Sequence, residues 1–536
     1  MVVLVPSRRG YPVRLTTTRL DNGRPKRLLN PSREEALFYL VILGFRDLRE
    51  FRMTTAKLCA TVTAGTMAEL RTRRDLMGDA DLVELRLDSV RDPSAAAALA
   101  GRRKPVIVTC RPQSEGGMFL GSEEERRRIL AEALTLGAEY VDLEWNGSCA
   151  DLMAQTSGRR IVLSHHDFEG TPADVHDLAR AMLASGAEIV KLAVTAHRLA
   201  DCLTLRAIGQ QAGTPMVLIA MGEAGVATRV LASWFGSCWT YAGANVAPGQ
   251  IDVERMHEEF RFRHLGPQTA IYGVVGKPVG HSVSPAMHNA AFQAANLDAV
   301  YLPLAAADFA DFMTFAKALD LAGASVTAPF KVQAFERADE CDPISQRIQS
   351  ANTLRRAGAT WEACNTDVTG FLTPLESVMT LAGQRATVLG AGGAARSVAI
   401  ALAGAGARVT LSARRSAPAE AIAALTGAAI GDFPPAPGTW DLLVNTTPVG
   451  TAPHIEQSPL PLGHPLDGRL VYDLVYNPPR TRLLRDAEHA GCGTLGGLDM
   501  LVAQAQAQFE WWTGQRPAAR VMRDAATARL GTMEKQ

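Results

Sequence analysis

One lysine stands in the middle of a short apolar run, Lys191 in EIVKLAV (residues 188–194). Desolvation disfavours the charged form of a buried amine, and an amine that sheds its proton near neutral pH is a nucleophile able to form an imine with a ketone. The plainer alternative is a strand-end lysine whose stem reaches out to solvent. The neighbouring runs weigh against that alternative. Glu84 and Arg86 end LVELRLD, Arg111 ends PVIVTCR, Glu144 ends YVDLEW, and His166 follows His165 in IVLSHHDF. Adjacent residues on a strand face opposite sides, so only one of the two histidines can share a pocket with the lysine. A ring of such side chains converging on one rim reads as a polar pocket for an anionic ligand.

Two further groupings lie downstream. Ser282 and Ser284 precede Pro285. In an extended segment hydroxyls two apart project the same way, and Pro at the first helical position would put them beside a helix N-terminus, a natural carboxylate site. A lone capping serine is the simpler reading of either residue. The stretch ATVLGAGGAARSVAIALAGAGARVTLSARR (386–415) sets Gly390-x-Gly392-x-x-Ala395 between a strand and an alanine-rich helix, with a second strand behind. That is the dinucleotide fingerprint in its proper context: glycines let the backbone approach a pyrophosphate at the helix N-terminus. An acid ending the second strand would bind the ribose hydroxyls of NAD. Here the strand ends Ser412-Ala413-Arg414-Arg415, and arginines pair with an extra phosphate, so the expected cofactor is NADP (NADPH).

The elements that must position these groups follow from periodicity. From residue 57, eight apolar runs (KLCATVTA, LVELRLD, PVIVTCR, YVDLEW, IVLSHHDF, EIVKLAV, PMVLIAMG and WTYAGAN) alternate with amphipathic stretches rich in Ala, Leu, Arg and Glu. Strand then helix, repeated eight times, predicts a (β/α)8 TIM barrel, in which the C-terminal strand ends build the active site. The barrel is expected over residues 55–262, with the boundary near Gly266-Pro267. A substrate-binding α/β domain over 268–375, a Rossmann domain over 376–490 and C-terminal helices over 491–536 packing back on the substrate domain are expected to follow. Residues 1–52 are arginine-rich and without strand–helix rhythm, and are expected to be a poorly ordered extension with no assigned function. Glu34 and Glu35 precede their one apolar run, which argues against a signal peptide.

Composition narrows the class. A chain of 536 residues exceeds what one core holds. Lys plus Arg and Asp plus Glu both total 55, so no nucleic acid or anionic membrane partner is indicated. Eight cysteines without a CxxC pair suit reduced thiols and a cytoplasmic location. No metal-ligand spacing occurs among the histidines, so no metal is expected. The run ALFYLVILGF (36–45) is too short to cross a bilayer.

VELRLD, TCRPQSEGG, SHHDF, VKLAV, MGEAGVATR and APGQI, in this order, resemble the type I 3-dehydroquinate dehydratases over about residues 55–260. The resemblance implies that Lys191 attacks the substrate ketone. His166, with a pKa poised near neutrality, would take the proton that the imine acidifies and then help the β-hydroxyl leave. Glu115 would orient His166, Arg229 with Gln250 would clamp the substrate carboxylate, and Glu84, Arg86 and Arg111 would hold ring hydroxyls. The family's His-Asp-Phe run selects His166 over His165. Val246 replaces a family serine and removes one hydroxyl contact; Thr228 replaces the serine before Arg229.

From about residue 270 to the C-terminus, ASVTAPFK, SANTL and CNTDVTG resemble shikimate dehydrogenase. This implies Lys331 and Asp367 as the catalytic pair, a lysine held by a carboxylate at the developing alkoxide. Ser282, Ser284, Thr327, Asn352, Tyr476 and Gln504 would surround substrate. Gly393, Ala394, Asn445, Thr446, Thr447 and Gly497 would join the fingerprint residues and Arg414 and Arg415 around the cofactor. Ser325 and Ala413 each stand where relatives carry asparagine. Of Gln504, Gln506 and Gln508 only Gln504 matches the family position, and the alternation otherwise reads as a solvated face.

The product implied for the first half, 3-dehydroshikimate, is the substrate implied for the second. The expectation is a fused enzyme of aromatic amino-acid biosynthesis acting on small-molecule substrates, as monomer or homodimer. Two alternatives remain at this stage: a quinate- or shikimate-responsive sensor without catalysis, and an NAD-dependent quinate/shikimate dehydrogenase in the second half. A coenzyme comparison separates the latter.

Overall fold

The computed structural model describes residues 55–147, 150–243 and 248–533, and the backbone of 18–21 and 24–27. The chain divides into two units, Met1–Arg52 and Met53–Gln536. In the first, Thr18–Asp21 pairs antiparallel with Arg24–Arg27. The expectation of poor order for the rest of that segment lies outside the described residues, as does Val246.

The second unit begins with eight parallel strands: β1 (Lys57–Val62), β2 (Leu82–Arg86), β3 (Val106–Thr109), β4 (Tyr140–Glu144), β5 (Ile161–Asp167), β6 (Ile189–Thr195), β7 (Met216–Met221) and β8 (Trp239–Ala242). Their order is β8-β1-β2-β3-β4-β5-β6-β7. The runs are almost wholly buried, as expected of strands covered on both faces. The β7–β8 seam lacks a full backbone ladder. There Cys238 N donates to Met216 O (2.8 Å), and Leu218 N donates to the Ser237 hydroxyl (2.9 Å), so a side chain completes the closure. The result is a nearly closed TIM-like barrel.

A mixed six-stranded sheet follows, ordered β10-β9-β11-β13-β14-β12, from β9 (Ala270–Gly276), β10 (Ala299–Ala305), β11 (Gly323–Val326), β12 (Glu340–Cys341), β13 (Thr353–Ala357) and β14 (Thr360–Cys364). The third sheet is wholly parallel: β15 (Arg385–Leu389), β16 (Arg408–Ser412), β17 (Ala429–Gly431), β18 (Leu442–Asn445), β19 (Leu470–Asp473) and β20 (Gly493–Gly496). Its order β17-β16-β15-β18-β19-β20 reverses direction between β15 and β18, the switch point at which doubly wound sheets open a crevice. The helix Gly497–Thr513 returns to pack on the helix Asp367–Glu376, and Ala519–Met533 packs on Ser284–Ala294.

The apolar core does not break at residue 266. One cluster runs from barrel residues such as Leu218, Ala227 and Phe235 into Val275, Val300, Leu302 and Phe312 of the mixed sheet and its helices. The parallel sheet keeps cores of its own around Val388, Val398 and Val444 and around Trp440 and Val471.

Candidate active sites

The first site lies at the C-terminal ends of the barrel strands. Lys191 on β6 is 5 % exposed, with Nζ 3.4 Å from Asp142 Oδ2 on β4, 3.9 Å from Glu84 Oε1 on β2 and 4.4 Å from the ring centroid of Tyr241 on β8. These four side chains come from alternate strands and form one layer of the barrel interior, the arrangement that parallel strands of equal tilt impose. Two carboxylates thus stand within 4 Å of the amine. Glu84 also accepts hydrogen bonds from Thr61 Oγ1 (3.0 Å) and Thr109 Oγ1 (2.9 Å).

His166 on β5 faces the same cavity, with Nδ1 3.2 Å from Glu115 Oε2. Burial, reinforced by the Arg111 and Lys191 cations, holds the imidazole well below the ordinary histidine pKa, not near neutrality as expected. The ring is therefore uncharged at neutral pH. Burial raises the Glu115 carboxyl, against the pull of Arg111. His165 does not line the cavity, and its Nδ1 is buried with no partner.

Arg111 lines the cavity but spends its fork on Asp142 (2.7 Å), Glu144 (2.9 Å) and Ser164 (2.8 Å). Glu144, expected on the rim, lies behind it, bonded also to Arg126 at 2.6 Å, and does not line the cavity. Arg86 is held bidentate by Asp88 (2.9 and 2.8 Å). Arg229 is different. Its guanidinium is 2 % exposed and lines the cavity; Nη2 donates to Pro248 O (3.1 Å), Nε has no partner, and burial lowers its pKa to about 10. Beside it the Gln250 Oε1 is also buried without a partner. Thr228 is structural, its hydroxyl accepting from Ala220 N and donating to Gly225 O. Asp142, Tyr241 and Thr61 were missed from the sequence. Asp142 sits two positions before Glu144 on β4, so the two share a face, and that alternation is the signal that could have found it.

The second site is a cleft between the mixed and parallel sheets. Lys331, first residue of the helix Lys331–Arg337, has Nζ 2.5 Å from Asp367 Oδ2. Asn352 Nδ2 donates to Asp367 Oδ1 (2.7 Å), fixing the carboxylate from its other oxygen. Ser282, Ser284, Thr327, Tyr476 and Gln504 line the same cleft, with Ala394 and Gly497. The serines are not brought together by an extended segment. Val283 between them is helical (φ −89°, ψ −4°), Ser282 Oγ accepts from Ser284 N (3.2 Å), and Pro285 is the second helical residue. None of the three glutamines is solvated: Gln504 and Gln506 are each 9 % exposed and Gln508 1 %. Gln508 also lines the cleft, donates to Thr353 Oγ1 (3.0 Å) and accepts from Ser325 Oγ (2.7 Å), a role the sequence did not reveal.

A groove at the β15/β18 switch point adjoins this cleft. Gly390, Gly392, Arg414, Arg415, Thr446 and Thr447 line it. Gly390 has φ +110°, and a Cβ there would lie 2.8 Å from Thr446 Oγ1. The turn thus takes only glycine and leaves a cradle for a close-approaching group. Gly392 caps the helix Gly393–Gly404, and Gly393 is exposed at its start. Ala395 is fully buried against the sheet. Asn445, expected in the groove, lies beneath it, donating to Asp473 Oδ1 (2.9 Å) and accepting from Thr447 N (3.0 Å). Its full burial leaves it no face toward a ligand.

Three family models match the chain: "Type I 3-dehydroquinase" over residues 58–267, "Shikimate dehydrogenase substrate binding domain" over 274–354 and "Shikimate 5'-dehydrogenase C-terminal domain" over 497–527. The chain is 34 % identical over 496 residues to a bifunctional 3-dehydroquinate dehydratase/shikimate dehydrogenase, chloroplastic, of Arabidopsis thaliana, covering 85 % of this chain and 82 % of that one. It is 41 % identical over 284 residues to a shikimate dehydrogenase (NADP(+)) of Moorella thermoacetica, covering 49 % of this chain and 96 % of that one. Among solved structures, the dehydroquinate dehydratase and shikimate dehydrogenase of S. pombe aligns over 90 % of this chain and 100 % of its own at 23 % identity and a TM-score of 0.42.

Proposed function

The chain belongs to the family of bifunctional 3-dehydroquinate dehydratase/shikimate dehydrogenases, and from that premise we propose how its residues divide the work. The barrel dehydrates 3-dehydroquinate to 3-dehydroshikimate, and the C-terminal half reduces 3-dehydroshikimate to shikimate. In the barrel, the Lys191 amine adds to the ketone and loses water to give an imine. The neutral His166 takes the proton from the adjacent carbon, and as imidazolium returns it to the departing hydroxyl; water then hydrolyses the product imine, restoring the ketone and freeing the Lys191 amine. Glu115 holds the histidine's orientation and stabilises its charged form. The observation that carries this reading is Arg229: a buried guanidinium with a free N–H, facing the same cavity as Lys191 and His166. An unpaired buried charge is costly, and a substrate carboxylate supplies the missing partner. Gln250 joins it, while Glu84, Arg86 and Arg111 border the ring.

In the second cleft, Lys331 gives its proton to the oxygen that develops negative charge, and Asp367 holds the ammonium in place. Ser282, Ser284, Thr327, Asn352, Tyr476 and Gln504 surround the substrate. The glycine cradle at Gly390, the helix start at Gly392 and the arginines Arg414 and Arg415 suit NADP, whose reduced form, NADPH, would supply the hydride when bound. We place the protein in the cytoplasm; among the described residues no helix is long and apolar enough to cross a membrane.

Dehydroquinate given with NADPH should produce enone absorbance and then cofactor oxidation. Borohydride added with dehydroquinate should trap a reduced adduct at Lys191, seen by peptide mass. Lys331→Ala should abolish cofactor oxidation and leave enone formation intact. Loss of both activities in that variant, or no adduct at Lys191, overturns the assignment.

A further inference from the structure

The segment that ends the Lys191 strand, residues 195–198, is bonded to the ends of both neighbouring strands. Thr195 Oγ1 donates to Asp167 O at the end of β5 (3.1 Å), and Ala196 N donates to Met221 O at the end of β7 (3.0 Å). It therefore sets the spacing between the strand of His166, the strand of Lys191 and the loop leading to Arg229. Its far end becomes the helix Leu199–Gln211, preceded by Arg198, which has no side-chain acceptor for the free N–H groups of a first turn.

Two of those groups are satisfied from the reductase half. Leu199 N donates to Asp311 Oδ2 (2.9 Å) and Ala200 N to Asp311 Oδ1 (2.8 Å). Asp311 lies in the first turn of the helix Phe309–Ala318, is 2 % exposed, and also accepts from Ala307 N (3.0 Å). Farther along, Arg206 Nη1 donates to Ala318 O (2.6 Å), so the two helices run side by side in the same direction. Parallel helices bring their positive ends together, and one carboxylate faces both.

We propose that Asp311, a residue of the reductase half, is a positioning residue for the dehydratase: it clamps the start of the helix behind Lys191 and so fixes the ends of the strands that carry Lys191 and His166 and the loop leading to Arg229. The inference rests on the barrel reading above. Misplacing catalytic groups by a fraction of an ångström to an ångström costs roughly 10- to 100-fold in rate.

In the full chain, Asp311→Ala should lower kcat for dehydration about tenfold or more, while reduction of added 3-dehydroshikimate keeps its rate. Asp311→Asn, which retains one acceptor oxygen, should recover part of the loss. Amide exchange of a peptide spanning residues 195–203 should rise in Asp311→Ala, a readout that needs no turnover. Unchanged dehydration with unchanged exchange overturns the proposal, as does a proportional fall of both activities with the folded fraction. A wild-type protein that dehydrates nothing, yet shows the exchange change, instead overturns the barrel reading and leaves the clamp standing.

Discussion

His288 is fully buried between Tyr301 (ring centroids 4.4 Å apart), Phe509 and Trp512, and neither of its ring nitrogens makes a hydrogen bond. Burial pushes its pKa down to about 3, against a smaller opposing pull from Gln508. A histidine depressed in the fold takes up its proton first in the unfolded chain. Its contribution is complete above the ordinary value of 6.5 and is lost as pH falls from 6.5 toward 3. At about 1.4 kcal/mol per pH unit this one side chain costs several kcal/mol by pH 4. His288→Phe, which keeps the aromatic packing, should therefore lose less melting temperature between pH 7 and pH 4 than the parent; equal losses would remove this histidine from the account. At this scale the sequence was a partial guide. Lys191 and the paired histidines were legible because an unusual residue type interrupts an apolar run, whereas Lys331 was legible only through the resemblance that ASVTAPFK carries. Asp142, Gln508 and Asp311 were not, because each works through a partner far away in the chain: Asp142 through Lys191, Gln508 through Ser325, Asp311 through Leu199. Asn445 was legible as a residue, but only the fold reveals that it lies beneath the groove, bonded to Asp473 and to the groove-lining Thr447.

At the scale of elements, the turn between β15 and the helix Gly393–Gly404 carries the clearest commitment. An alanine at 390 meets both a left-handed backbone at φ +110° and the Thr446 hydroxyl at 2.8 Å. Strain of that kind is typically about 1–3 kcal/mol. Gly390→Ala should thus weaken NADPH binding, measured by titration, by roughly 10-fold or more, while dehydration in the barrel is unaffected. Wild-type affinity in that variant would mean that the turn does not approach the cofactor. The periodicity behind this turn and behind the eight barrel strands was readable because strand and helix spacings differ so plainly. The serine pair was less readable. Two-residue spacing implied an extended segment, and the helical Val283 changed how the hydroxyls are presented although both still reach the cleft.

For the whole molecule, the distribution of apolar clusters matters more than the order of domains along the chain. Part of the barrel and part of the mixed sheet share one core, while the barrel interior, the mixed sheet with the C-terminal helices, and the parallel sheet each have clusters of their own. Multidomain chains with separate cores unfold in steps. Calorimetry should show two transitions, with saturating NADPH raising one by the few kcal/mol expected of a ligand at about 100 times its Kd. A single transition shifted as a whole would show the cores to be coupled. The shared core bears also on how such an enzyme is dissected. Scissors placed at residues 266–268, where motifs change hands, would leave Val300 and Leu302 on one fragment and Ala227 and Phe235 on the other stripped of part of their apolar surroundings. Each piece made alone should then be sticky and poorly soluble, and mixing the two should restore what neither keeps in isolation.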